Sequence, residues 1–301
     1  MFRFRVNSSS FLLSVVLAIA ICLSPTQATR AQEQDVAQVK IDPSLSAKVP
    51  QYYREKGRLV VGVNPDTAPI KFIDNDGNIV GFTPDLLTAA AGVLGLKLDL
   101  TQASFDSLIP GMKANRFDVL LSIADFKSRQ NAVTFIDYLN MGETVVAPAD
   151  KDTTLTALDN MCGLRVAFAK GSGVQPEGDR ISGNCVKQGK QPMVQNVYPD
   201  DNLVFLSLTT GASDVAWVDS PEGYYNTKKF PTKYKVIFFT YKAPYGIGFG
   251  VDDNSKQLAS AMQQALLKLQ KDGTYEKLLN KWGLQAKDGL PTFPINGATS
   301  H

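Results

Sequence analysis

An arginine, an aspartate and a glycine-flanked serine carry the chemistry open to this chain. Arg129 follows an apolar run ending at Ile123 by one short turn. A guanidinium there can grip a carboxylate through two parallel, charge-assisted hydrogen bonds. Asp219 ends the run Asp214-Val215-Ala216-Trp217-Val218 and suits an ammonium group. Gly171-Ser172-Gly173 follows the run Val166 to Ala169; its glycines let backbone N–H groups converge on an anion, and the hydroxyl adds a donor. As a phosphate cradle the loop is weak, because it lacks the Lys-Ser/Thr ending of a P-loop and the spacing of a dinucleotide fingerprint. Singly, such residues are commonplace in surface ion pairs and turns. Together they offer a cation and N–H donors to a carboxylate and an anion to an ammonium, the complement of an α-amino acid zwitterion.

Other chemistry is removed by composition. The one histidine of the 301 residues is His301, so Ser-His-Asp and Cys-His hydrolases and the common zinc sites lack their imidazole. Asp74-Asn75-Asp76-Gly77-Asn78 looks like a calcium loop, but its glycine comes too early and no glutamate closes it. It reads as the turn of a β-hairpin between Ile70–Ile73 and Ile79–Phe82.

The elements that must position these groups alternate in type. Apolar, β-branched runs are expected as strands at Arg58–Val63, Asp118–Ile123, Arg165–Ala169, Asp214–Val218, Lys235–Phe239 and Tyr245–Val251, with helical stretches between them. That alternation is the pattern of α/β architecture with largely parallel sheets. One helix is expected to start at Thr83-Pro84-Asp85 and end at Gly95, another to run from about Phe105 to Asn115. The stripe Leu258, Ala261, Met262, Ala265, Leu266, Leu269 has helical spacing and reads as core, as does Trp282. Leu108-Ile109…Met112…Asn115-x-x-Asp118-Val119 is echoed by Val204-Phe205…Leu208…Gly211-x-x-Asp214-Val215, so two similar α/β lobes are expected. Ligands of open α/β sheets collect at the carboxyl ends of strands, where Arg129 and Asp219 lie.

The amino-terminal end reads as a secretory signal over residues 1–28. It has Arg3 and Arg5, an apolar run from Phe11 to Leu23, and small residues in Thr26-Gln27-Ala28. A lipid anchor on Cys22 is disfavoured by the bulky Ile21 before it. Loss of the two arginines with the leader brings the 31 Lys and Arg level with the 29 Asp and Glu. A neutral chain without long basic runs lacks the footprint for nucleic acid or an anionic membrane. Cys162 and Cys185 then remain in an oxidising compartment and are expected to pair as a disulfide, the alternative being two buried thiols.

Residues 58–283 resemble the bacterial extracellular solute-binding family that serves polar amino-acid ABC importers. The resemblance is carried by Arg58-Leu59-Val60-Val61-Gly62-Val63, Gly81-Phe82-x-x-Asp85-Leu86 and Ser104-Phe105-Asp106-x-Leu108-Ile109-Pro110. It continues through Phe117-Asp118-Val119, Asp219-Ser220-Pro221, Pro244-Tyr245-Gly246-Ile247 and Asp272-Gly273-Thr274…Lys281-Trp282-Gly283. It implies a two-lobed periplasmic-binding-protein fold, each lobe a mostly parallel sheet flanked by helices. Residues 57–146 and 245–290 would form lobe 1 and 147–244 lobe 2. A 29–56 extension would precede them, a 291–301 tail would follow, and crossovers near Val145–Ala149 and Thr240–Pro244 would form the hinge. It further implies that Arg129 holds the ligand carboxylate, Asp219 its ammonium, and Ser172 and Gly173 add donors while Phe105 stacks on the ligand. Ser122, Asn64 and Ala124 complete the ligand-binding set.

The chain departs from the family at Ala124, which lacks a hydroxyl, at Thr67, where an aromatic commonly forms a wall, and at Lys71, where Glu is frequent. The usual Asp-Phe-Ser-x-Pro-Tyr turn is replaced by Thr134-Phe135-Ile136-Asp137-Tyr138-Leu139. Lys71 is expected to be solvated; were it to reach the cleft, a cationic ligand side chain would be disfavoured.

The resemblance implies a periplasmic monomer that closes on an amino acid or related organic acid and is read by an inner-membrane permease, with no cofactor, metal or catalysis. The alternative on the same fold is a dehydratase of a cyclic prephenate-like acid, with Asp219 or Glu222 as general acid. A sensor ectodomain is disfavoured because no membrane helix follows residue 283.

Overall fold

A computed structural model gives the fold and describes residue 1 and residues 39–298 except 242 and 285. The expected leader with Cys22, and His301, lie outside the described residues. Helices α1 (Pro43–Ser46) and α2 (Gln51–Lys56) precede β1 (Arg58–Val63). The small strands β2 (Asp66–Thr67), β3 (Lys71–Ile73) and β4 (Ile79–Val80) follow, then α3 (Phe82–Leu94), β5 (Lys97–Gln102), α4 (Leu108–Lys113), β6 (Val119–Ala124) and β7 (Thr134–Leu139). The second half runs β8 (Gly142–Pro148), β9 (Arg165–Ala169), α5 (Gln175–Lys187), β10 (Val194–Tyr198), α6 (Asp201–Thr209), β11 (Val215–Asp219), α7 (Ser220–Lys229) and β12 (Tyr234–Tyr241). The chain then returns as β13 (Tyr245–Phe249), α8 (Asp253–Lys271) and α9 (Thr274–Lys281).

Two five-stranded sheets result, ordered β5-β1-β6-β13-β7 and β10-β9-β11-β8-β12. In each, four strands run one way, and the fourth position holds one reversed strand, β13 or β8. The reversed strand is in both cases the one that arrives from the other lobe. The architecture is α/β in two lobes.

The sequence echo has a physical basis. Asn115 (φ 56°) and Gly211 (φ 73°) both turn left-handed after α4 and α6. Each is followed by an aspartate that clamps the neighbouring strand: Asp118 accepts from Val60 N–H at 2.7 Å, Asp214 from Arg165 N–H at 2.8 Å. A buried strand start needs those N–H groups satisfied, and the two lobes do it in the same way.

Local differences from the sequence reading have identifiable causes. Helix α3 begins at Phe82 with Gly81 as its N-cap (φ 137°), because a Cβ there would lie 2.4 Å from the carbonyl oxygen of Ile70. Thr83 does not cap the helix; its hydroxyl pairs with Tyr138 Oη at 2.8 Å. The stretch expected as one helix from Phe105 is a 3₁₀ turn at Phe105–Ser107 followed by α4. The Asp-Gly hairpin forms, with β3 and β4 antiparallel and Gly77 at φ 86°. Val145–Ala149 is not a crossover: Val145, Val146 and Ala147 are fully buried in the second sheet, paired with β11 and β12. The chain passes between sheets at Asn140–Met141, beside the return after Tyr241, since Gly142 pairs with Tyr241.

Each lobe has its own core. Leu108, Leu120, Ile123, Val133 and Phe135 pack under the first sheet; Phe168, Ile181, Val215 and Trp217 pack under the second. The expected stripe of α8 is at most 1 % exposed throughout. Cys162 and Cys185 are joined as a disulfide with Cα atoms 5.6 Å apart, tying the turn before β9 to the last turn of α5.

Residues 290–298 strap the edge strand β7. Leu290 N–H donates to Tyr138 O at 3.2 Å, Asp137 N–H to Pro294 O at 2.9 Å and Asn296 N–H to Phe135 O at 3.0 Å. Phe293 is fully buried beside the Tyr275 ring, 5.1 Å between centroids. Gly297 and Ala298 N–H groups donate to Asp137 Oδ2 at 2.9 Å and Asp125 Oδ2 at 3.1 Å. Burial, with the neighbouring Asp125 carboxylate, pushes Asp137 up to about 8.

Candidate functional site

The carboxyl ends of β6, β9 and β11 face one another across the gap between the sheets, and a cavity there gathers side chains from both lobes. Arg129 enters from the first lobe, at the end of the 3₁₀ turn Lys127–Arg129. Its guanidinium lies 4.8 Å from the Phe126 ring centroid and 5.7 Å from that of Phe105. It donates to Ala124 O at 3.0 Å and, across the gap, to Gly171 O at 3.1 Å. Burial draws its pKa down to about 10, so the cation persists at neutral pH.

Asp219 enters from the second lobe as the last residue of β11. Its Oδ2 accepts a short hydrogen bond from the Tyr245 hydroxyl of the first lobe. Burial raises its pKa, against the opposing pull of Tyr245, Lys71 and Arg129. The arginine and the aspartate therefore belong to opposite lobes and line the same cavity.

Ser172 and Gly173 reach the cavity from the loop after β9. Ser172 Oγ is buried without a hydrogen-bond partner among the described residues, a donor with nothing to donate to. Gly173 is required by close approach, since a Cβ would fall 2.1 Å from the Phe126 ring of the other lobe. Ser122 and Ala124 line the cavity from β6. Ser122 sits in the left-handed region (φ 54°) where the pairing of β6 with β13 shifts register, so a bulge aims its side chain. Tyr138 Oη donates to Ser122 Oγ at 2.9 Å, which leaves the serine's own proton for another acceptor.

Phe105 lines the cavity at the start of its 3₁₀ turn while packing partly on the first-lobe core. Asn64 does not line it. It is buried behind the wall, where its amide, with the nitrogen turned to Asp66, donates to Asp66 Oδ2 at 2.8 Å and accepts from Phe105 N–H at 3.2 Å. It positions two residues that do face the cavity.

Asp66, Thr67, Lys71, Asp201, Glu143 and Trp217 also line the cavity. Lys71 is 2 % exposed rather than solvated: Nζ donates to Thr67 Oγ1 at 2.9 Å and pairs with Asp66 Oδ1 at 3.3 Å. Asp201 looks in sequence like a helix-capping residue, but Asp200 caps α6 by accepting from Leu203 N–H at 3.0 Å. Asp201 is thereby released into the cleft, where burial and Asp66 raise its carboxyl. Glu222 lies next to it, fully buried with Oε2 unpartnered and its pKa raised by burial and by Asp201 and Asp66, but it does not line the cavity. Glu143 accepts from the Trp217 indole at 2.9 Å.

The lobes touch across the cleft. Besides the Arg129 and Tyr245 bonds, Lys170 pairs with Asp106 at 2.6 Å and Asp201 N–H donates to Asp66 Oδ2 at 3.3 Å. Among the described residues no cluster of His, Cys, Asp and Glu is arranged to hold a metal ion.

Known proteins share this sequence and shape. An arginine-binding protein of Corynebacterium glutamicum is 29 % identical over 246 residues, covering 81 % of this chain and 80 % of that protein. The lysine/arginine/ornithine-binding periplasmic protein of Escherichia coli K12 is 27 % identical, covering 79 % and 92 %. The solved structure of an ancestral arginine-binding protein bound to arginine superposes with a TM-score of 0.68 at 27 % identity, covering 75 % of this chain and 98 % of that one. The profile of the bacterial extracellular solute-binding proteins, family 3, matches residues 59–285. The chain belongs to that family.

Proposed function

We propose that this protein is the periplasmic substrate-binding component of an ABC importer, that it binds an amino acid by its α-carboxylate and α-ammonium, and that it hands the ligand to an inner-membrane permease as a closed monomer. The observation that carries the reading is the meeting of Arg129 and Asp219, from opposite lobes, in one cavity beside the unpartnered Ser172 hydroxyl. Arg129 would hold the carboxylate with Ser122, Ser172 and the Gly173 N–H, and Asp219 the ammonium, while Phe105 covers the ligand and Asn64 and Ala124 shape the wall.

A ligand that touches both lobes lowers the free energy of the shut state more than that of the open one, so binding and closure are one equilibrium. The relatives bind arginine, or lysine, arginine and ornithine, by their names, which supports an amino acid as the ligand class here. The two links beside Gly142 and Tyr241 would be the hinge. Binding without turnover is the output. The dehydratase alternative would need a proton donor facing the ligand, and the raised carboxyl of Asp219 is the group that could serve.

Titration calorimetry with the twenty amino acids tests the proposal. At least one should bind, and Arg129→Ala should weaken it by about a hundredfold or more, the loss of two charge-assisted hydrogen bonds. Unchanged affinity in that variant, or turnover of prephenate without amino-acid binding, would overturn it.

A further inference from the structure

We infer that Lys71 determines specificity: its ammonium is a built-in counter-cation for the acids of the cleft, so the site takes amino acids with short uncharged side chains and rejects those with cationic ones. The inference rests on the amino-acid reading above and adds the side-chain class to it.

Four acids line the cavity from four elements, Asp66 from β2, Glu143 from β8, Asp201 from the start of α6 and Asp219 from the end of β11. Carboxylates drawn together in a closed, desolvated cleft demand cations. Lys71 supplies one from within the chain, its side chain only 3 % exposed and its Nζ bonded to Asp66 and Thr67. The groups that would touch a zwitterion are then matched. Lys71 matches Asp66, Arg129 meets the ligand carboxylate and Asp219 the ligand ammonium. Asp201 and Glu222 lie side by side; burial raises both carboxyls, and Asp201 raises that of Glu222 further, while Glu143 accepts from the Trp217 indole.

Asp66, the acid beside Thr67, is already occupied by a cation. A guanidinium or ammonium at the end of a ligand side chain would have to displace a tethered ammonium, which competes intramolecularly. Otherwise it would sit beside that ammonium as a like charge in a site with little solvent screening. Space points the same way. The shut cleft leaves a cavity of about 40 Å³, and the stem of Lys71 fills the region next to Thr67.

The test is titration calorimetry of L-alanine, L-serine, L-lysine and L-arginine against the wild-type protein, Lys71→Ala and Lys71→Met. The expected result is wild-type binding of alanine or serine at least tenfold tighter than lysine or arginine. In both variants that ratio should shift at least tenfold toward the basic amino acids, because the acids then lack their counter-cation. Wild-type protein that binds arginine or lysine as tightly as alanine or serine would overturn the inference while leaving the amino-acid reading intact. So would an unchanged ratio in the variants. Should none of the four bind while another uncharged amino acid does, a longer one would likewise overturn the short-chain assignment, and absence of any amino-acid binding would remove the reading beneath it. The wild-type comparison stands even where a variant fails to fold.

Discussion

The two lobes are built to one plan and equipped in opposite ways. Both use the same strand order, the same left-handed turn before the third strand, and the same aspartate clamp on its neighbour. Yet the first lobe brings the cations Arg129 and Lys71 to the cleft, with Asp66 as the partner of Lys71, whereas the second brings only the acids Glu143, Asp201 and Asp219. They are also fastened differently. The second lobe is cross-linked through Cys162 and Cys185, and the first is bound by the strap over β7. The frame is indifferent to charge. The charges that line the cavity sit at strand ends and in the short elements between them, away from the clamps.

That contrast can be broken at its fastenings. Replacing Cys162 and Cys185 together by serine should cost about 3 kcal/mol by the chain-entropy argument for a closed loop of this length, lowering the thermal midpoint by roughly 6–12 °C. If the second lobe depends on its cross-link as described, calorimetric scanning should show this loss in reduced wild-type protein too. A reduced protein with an unchanged midpoint would put the two lobes on an equal footing.

The contact between lobes gives a smaller effect. In Gly173→Ala the added methyl meets the Phe126 ring in the shut state only, so ligand affinity should fall roughly tenfold, in keeping with the cost of one overpacked contact. The midpoint of the unliganded protein should not move. An unliganded midpoint that falls with the affinity would mean that the glycine serves its own lobe instead.

The smallest change concerns the strap. Asp137 is raised to about 8 when folded, so between the ordinary carboxylate range and pH 8 the native chain holds a proton that the unfolded chain has lost. Stability contributed at this site therefore declines as pH rises through that window and levels off above it. Asp137→Asn keeps an acceptor for Gly297 N–H and removes the charge. Its midpoint should lie nearest wild type below about pH 4, gain on it as pH rises, and exceed it by a few degrees at pH 9. Parallel pH profiles for the two proteins would exclude the carboxyl as the cause.

Legibility followed physical locality. Arg129 and Asp219 could be read because their chemistry and their place after apolar runs are local facts. The Asp-Gly hairpin could be read because positive φ has few residue solutions. The paired motifs of α4 and α6 were visible as spacing, although the clamp that explains them joins residues far apart in sequence, such as Asp118 and Val60.

Lys71 could not be read. Its burial depends on Asp66 and Thr67 being folded against it by the hairpin, and a lysine alone predicts solvent. Asp201 was hidden behind its neighbour, since two consecutive aspartates at a helix start leave open which one caps. Strand β8 is not legible as a strand, because the buried Glu143 and Thr144 interrupt its apolar pattern. β5 and β10 are edge strands without a continuous apolar run: Lys97, Asp99 and Gln102 of β5 face water, and so do Val194 and Val197 of β10.

The strap has a practical consequence for anyone attaching something to this molecule. Its last described residue, Ala298, hangs from the carboxylate of Asp125, and Asp125 directly follows Ala124 in the wall of the cleft. A purification handle or fluorophore joined there is coupled mechanically to the ligand chamber. A label meant to leave recognition untouched belongs instead on the far side of the second lobe, for example at the exposed Val186 on α5.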